Sequence, residues 1–223
     1  MKLSRLQFQE LFDENKLLLS FIGMSNIGKT YWSKKLHEIG FNHINCDDLI
    51  EKKLEPALKG LGHSGIADVS RWMGQPYDER FSLNQAQYLL CEEIVMKNIL
   101  QEMSNGVSQN TVIDTTGSMV HTDRGICRQL REYTMVIYIE ESEHAKEKMF
   151  RQYLEEPKPV VFGNVYKPHS NETSTQTLQR CYPELLNLRH ALYISCADII
   201  IPRDAIDMNM TAHQFISLIQ QSL

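Results

Sequence analysis

Residues 17–30 read Leu-Leu-Leu-Ser-Phe-Ile-Gly-Met-Ser-Asn-Ile-Gly-Lys-Thr. The run Leu17 to Ile22 is compact and apolar and stops at a glycine, the signature of a strand buried on both faces. Gly23 to Thr30 then complete G-x-x-x-x-G-K-[ST] without a mismatch. A helix leaves the loop from about Lys29, with Trp32, Leu36 and Ile39 on one face and Gly40 as its stop. A strand entering and a helix leaving is the context in which this loop binds a nucleoside triphosphate. Gly23 and Gly28 permit backbone angles that other residues resist. The amides of Met24, Ser25, Asn26, Ile27 and Gly28 can then face phosphate oxygens, aided by the helix dipole. Lys29 adds a point charge at the β and γ positions, the Thr30 hydroxyl suits magnesium, and Tyr31 follows on the nucleotide side.

Outward from the loop, strands alternate with helices. Residues 42–46, 111–114, 135–140 and 197–201 read as strands. Helices are expected over about 3–13, from Asp47, over 77–103, 124–133, 142–154 and 176–195, and from Thr211. In the long helix Leu83, Ala86, Leu90, Ile94 and Ile99 are the core candidates. Gly60, Gly62 and Gly65 break the chain before it. Residues 156–175, with Pro157, Pro159, Gly163 and Pro168, read as a mobile segment. This alternation predicts an α/β fold, one doubly wound domain over 1–223 with a parallel five-stranded sheet sandwiched by helices and an N-terminal helical extension over about 1–15.

The net charge of -5 argues against nucleic acid as a partner. No run approaches the length needed to span a bilayer, and the N-terminus lacks the apolar stretch of a signal peptide. A cytoplasmic protein without membrane contact is expected, as a monomer or weak homodimer. Five scattered cysteines without a C-x-x-C pair read as reduced thiols. The histidines show no metal-ligand spacing.

Two acidic stations accompany the loop. Asp114 ends the third strand, where a carboxylate can hold magnesium, and Thr115-Thr116-Gly117 follow it. Asp47 and Asp48 follow the second strand. One of them can cap the next helix. The other, for which Asp47 is preferred, can orient an acceptor hydroxyl and take its proton.

Four segments together resemble the shikimate kinase family of P-loop kinases: GMSNIGKT, NCDDLIEKK, IADVSRWMGQPYDERF and YPELLNLRHALYISCAD. The resemblance implies the P-loop NTPase fold with a lid insertion over about 156–175 and a substrate-binding region over about 47–103. It places Asp47 on the family's catalytic aspartate, with Asn45 where the family has its first acid. Arg189 falls on the substrate-binding arginine and Tyr193 on the tyrosine after it. Lys158-Pro159-Val160-Val161 looks like the lid stretch, with Lys158 as lid cation. Arg151 is a second candidate for that role, and Arg203 falls near the loop that the family sets beside adenine. Thr116-Gly117-Ser118 stand where the family has three glycines against its acceptor. The family's carboxylate-gripping arginine is matched by neither residue in register; Arg80 lies one position late and Arg71 is another substitute.

ATP, magnesium and a small polar acceptor are therefore the expected partners, in phosphoryl transfer to a hydroxyl by a kinase whose acceptor differs from shikimate. A nucleoside or nucleotide kinase, and a nucleotide-binding protein without transfer, are the alternatives.

Overall fold

The computed structural model describes residues 3–59, 66–155 and 160–223, with the backbone alone at 66 and 67. In chain order the elements are α1 (Arg5–Asp13), β1 (Leu18–Ile22), α2 (Lys29–His37), β2 (Asn42–Asn45), α3 (Cys46–Lys59), α4 (Ile66–Met73), α5 (Phe81–Ser104), β3 (Thr111–Asp114), α6 (Arg124–Tyr133), β4 (Met135–Glu140), α7 (Glu143–Glu155), α8 (Ser174–Cys196), β5 (Ile199–Pro202) and α9 (Ala212–Gln221). The five strands form one sheet in the order β2-β3-β1-β4-β5. Every pairing in it is parallel. β1, β3 and the first five residues of β4 are buried throughout, as strands covered on both faces must be; their polar members Ser20, Thr111 and Asp114 are buried with them.

The chain leaves β1 for β2 and returns to β3, which sits between them. The order therefore reverses at β1, and the crevice beyond the carboxyl ends of β1 and β3 is where such sheets take ligands. The register aligns Phe21 with Asp114 and Asn45 with Asp114, so the phosphate loop and both acidic stations open on one edge.

Two cores cover the sheet. One joins α3, α4, α5, α6 and α8, and the other joins α1, α2 and α9. In the second, Trp32 stacks on Phe215 at 4.2 Å, which fixes the helix that carries Lys29 and Thr30. α1 is opened by a Ser4–Gln7 capping box. Asn110 ties it to the sheet by donating to the Phe12 carbonyl and accepting from the Leu17 amide.

The structure corrects four expectations. The face of α5 that packs inward is Phe81, Tyr88, Glu92, Val95, Met96, Ile99, Leu100 and Met103. Leu83, Leu90 and Ile94 are exposed, because the helix meets the core through the adjacent stripe. Cys127 and Cys196 are joined as a disulfide across 69 residues, where α6 packs on α8; Cys46, Cys91 and Cys181 are free thiols. The helix α4 is not foreseen by the glycine-rich stretch before it, and Gly60, Gly62 and Gly65 lie outside the described residues. Within the segment read as mobile, Val161 and Phe162 are buried, and Phe162 sits among Phe81, Tyr153, Tyr166 and Tyr182. No described helix is long and apolar enough to cross a membrane.

Candidate active site

The loop after β1 is shaped by backbone necessity. Gly23 has φ +141°, and a Cβ there would stand 2.7 Å from the Ile139 carbonyl oxygen of β4. Only glycine fits so close a crossing of two chains. Met24 and Ile27 bury their side chains and thereby pin the loop, while Ser25 and Asn26 are exposed at its mouth. Lys29 is buried and donates to the carbonyls of Gly23 (3.0 Å) and Met24 (2.9 Å). Burial pushes its pKa down, opposed by the charges of Asp114 and then Asp47. Thr30 is half-buried beside it. On the flank, Arg203 brings its Nε to 3.9 Å from the position of a Gly28 Cβ, and the Tyr31 hydroxyl donates to the Met208 carbonyl at 3.2 Å. The chain after β5 thus packs on the start of α2.

Asp114 is 2% exposed, and its Oδ2 has no hydrogen-bond partner among the described residues. His43 Nε2 lies 3.6 Å from that oxygen and is equally unpartnered. An orphaned, buried carboxylate oxygen is a hard donor, which fits magnesium. Among the described residues no three His, Cys, Asp or Glu side chains gather to hold a metal by themselves. Phosphate oxygens and water would complete the shell. Asn45 settles which residue caps α3: its Oδ1 accepts from the Asp47 amide at 3.1 Å. That releases both Asp47 and Asp48 from the cap. Asp48 is exposed, whereas Asp47 is half-buried, its pKa raised by burial against the pull of Lys29.

The turn after β3 forms the opposite wall. A Cβ on Gly117 would stand 2.9 Å from Ser25 Oγ and 3.6 Å from Arg189 Nη1, so the turn, the loop and α8 meet at this residue. Arg189 is buried and donates to the Val161 carbonyl (2.9 Å) and to His121 Nε2 (3.1 Å). Burial and then the arginine charge push His121 down to about 3, so it meets Arg189 as the neutral ring. Thr116 and Ser118 do not offer their hydroxyls to the crevice. Both donate to the carboxylate of Glu92, Ser118 at 2.8 Å. Sequence reasoning missed Glu92, His121 and the contact of His43 with Asp114. A charged residue at the period of the buried α5 stripe was the one available signal for Glu92.

Burial pushes Glu92 from 4.5 up to about 7. Its folded state therefore holds the proton more tightly than the unfolded chain, and the stability it gives at low pH is lost as pH rises from 4.5 through about 7. Glu92→Gln removes this titration. It is expected to exceed the native protein in stability at pH 8 by about 1–3 kcal/mol and to show no advantage at pH 4.5. Paired urea titrations at the two pH values check this.

Among the described residues, Arg71, Arg80 and Arg151 are exposed cations and not part of the buried cluster at the loop. Arg71 is exposed and paired with Asp68 at 2.7 Å, and Arg80 is exposed at the start of α5. Arg151 is exposed on α7, next to Gln152 and Tyr153, which line a cavity of about 320 Å³ together with Ser25, Asn26, Tyr182 and Arg189. Lys158 lies outside the described residues. A roomier cavity of about 740 Å³ between α6 and the end of α8 shares no residue with this site.

No family model matches the sequence, and neither does any curated protein. Solved structures do match. Shikimate kinase from Acinetobacter baumannii in complex with shikimate is 17% identical, with a TM-score of 0.58 over 96% of this chain and 95% of that one. Shikimate kinase from Bacteroides thetaiotaomicron is 13% identical, with a TM-score of 0.56 over 92% and 96%. The strand order, the loop after β1 and these whole-chain superpositions give one result: the chain has the P-loop kinase fold of the shikimate kinases.

Proposed function

We propose that the chain transfers the γ-phosphoryl group of ATP, with magnesium, to a hydroxyl of a small anionic molecule other than shikimate. One observation carries this reading: three strand ends bring Lys29, Asp47 and Asp114 into one electrostatic cluster at a phosphate-shaped loop. The loop amides and Lys29 hold the triphosphate. Thr30 and Asp114 hold magnesium, which supplies charge neutralisation on the phosphates. Asp47, with its raised pKa, orients the acceptor hydroxyl and takes its proton as the transfer proceeds. The Gly117 amide and Arg189 face the transferred group and the acceptor, and Arg151 or Lys158 serves as the lid cation. Tyr31 and Arg203 flank the base.

The placement of the arginines supports an acceptor other than shikimate. Of Arg71, Arg80 and Arg189, only Arg189 is buried beside the loop. A single buried guanidinium suits one anionic group on the acceptor. The test is a coupled assay of ADP release with shikimate, other hydroxy acids, nucleosides and nucleoside monophosphates as acceptors. Acceptor-dependent ADP release with a partner other than shikimate is expected. ADP release that ignores the acceptor sinks the transfer reading, and efficient turnover of shikimate sinks the choice of acceptor.

A further inference from the structure

The turn Thr116-Gly117-Ser118 poses a steric problem that the structure resolves with a residue from another element. Both flanking residues carry hydroxyl side chains at the floor of the crevice, yet they are 3% and 6% exposed. Their hydroxyls run away from the phosphate loop to one carboxylate, Glu92 on α5. Thr116 donates to one oxygen and Ser118 to the other. The two hydroxyls are also 3.0 Å apart, and the Ser118 amide donates to Thr116 Oγ1 at 3.1 Å, so the cluster is closed on itself. From the far side, the Tyr193 hydroxyl donates to the Gly117 carbonyl at 2.5 Å.

Glu92 is fully buried, and that burial outweighs the hydrogen bonds from Thr116 and Ser118 and the charge of Arg189. An acid in that setting costs stability unless it orders something else. What it orders is the segment that touches Ser25 and Arg189. We infer that Glu92 is the positioning residue of the transfer site. It draws the Thr116 and Ser118 hydroxyls back from the crevice and leaves Gly117 alone facing the loop, where the transferred group and the acceptor meet. This rests on the phosphoryl-transfer reading. It also explains how a Thr-Gly-Ser turn can do the work of a turn built from glycine alone: the added side chains are accommodated behind the turn rather than in front of it.

The test compares Glu92→Leu, Ser118→Ala and Glu92→Gln in the full chain. Leucine leaves both hydroxyls without an acceptor. Glutamine keeps one acceptor oxygen, and its amide can donate to the second hydroxyl. Glu92→Leu is expected to lower kcat about 30-fold or more, with ATP affinity unchanged within about twofold, because a small displacement at the floor disturbs transfer and spares triphosphate binding. Ser118→Ala lowers kcat about tenfold, and Glu92→Gln stays within about threefold of the native protein. In hydrogen exchange, the Ser118 amide speeds up in Glu92→Leu and not in Glu92→Gln. A folded Glu92→Leu with native kcat overturns the inference, as does a kcat loss that merely tracks ATP affinity. If Glu92→Leu does not fold, native kcat in Ser118→Ala overturns it equally. If the native protein turns over no acceptor at all, the transfer reading fails and hydrogen exchange alone decides: equal rates at Ser118 in both variants then reject positioning by Glu92.

Discussion

Lys29→Ala is expected to lower phosphoryl transfer by about three orders of magnitude and to weaken ATP binding measurably in calorimetry. The side chain is buried beneath the loop, and its ammonium lies on the Gly23 and Met24 carbonyls. Those bonds hold it ready: an arriving β–γ phosphate pair offers the same ammonium stronger, charged acceptors. Burial lowers the lysine pKa, so the folded state binds its proton less tightly than the unfolded chain does. Stability then rises with pH in the window just below 10.5, and at neutral pH the charge is a cost that the fold carries. Removing it leaves the loop in place, because Gly23 is locked against Ile139 and Met24 and Ile27 are buried. The variant should therefore unfold within a few degrees of the native protein, at roughly ±1.5 kcal/mol. Lys29→Arg is expected to fail as well, since a planar guanidinium does not fit where a compact ammonium sits between two carbonyls. A variant that retains turnover would remove the loop from the mechanism.

The same loop shows why so much of this molecule is legible in one sequence. Its demands are local: a glycine where two backbones cross, a lysine one position past a turn, an apolar strand on one side and a helix on the other. The sheet is legible for a similar reason, since strands covered on both faces carry short, mostly apolar runs, such as Val112-Ile113 and Met135 to Ile139. Legibility fails where the direction of a side chain is set by a distant element. α5 carries apolar residues on more than one stripe, so Leu83, Leu90 and Ile94 are as plausible as Tyr88, Val95 and Met96 until α3 and α6 are packed against it. With the wrong stripe chosen, Glu92 reads as a solvent-facing acid. Thr116 and Ser118 stand where the family resemblance leads one to expect an acceptor-facing turn, yet their hydroxyls face backwards because that buried acid receives them. The pairing of Cys127 with Cys196 across 69 residues is likewise a tertiary fact with no local signature.

Arg189→Met is expected to separate two roles that a buried arginine can play. A guanidinium 5% exposed pays a desolvation cost that neutral partners do not return in full. Its hydrogen-bond partners among the described residues are neutral: the Val161 carbonyl and the uncharged His121 ring. No carboxylate stands within ion-pair distance among the described residues, while Nη1 lies near the space above Gly117. If the arginine were a structural staple, its loss would destabilise the fold by about 3 kcal/mol or more and leave the acceptor KM alone. If it is the anion seat of the acceptor, methionine fills the volume and removes an uncompensated charge, so stability stays within about 1.5 kcal/mol of native. The acceptor KM then rises about 100-fold or more, because one partner of a buried charge pair is gone, and ATP affinity holds. Arg189→Lys should recover little, as an ammonium cannot grip Val161, His121 and an acceptor anion from one plane. Thermal unfolding, calorimetry with ATP and acceptor kinetics on the two variants decide between the roles. A large stability loss with an unchanged acceptor KM would return Arg189 to the scaffold and leave the acceptor without a recognised anchor.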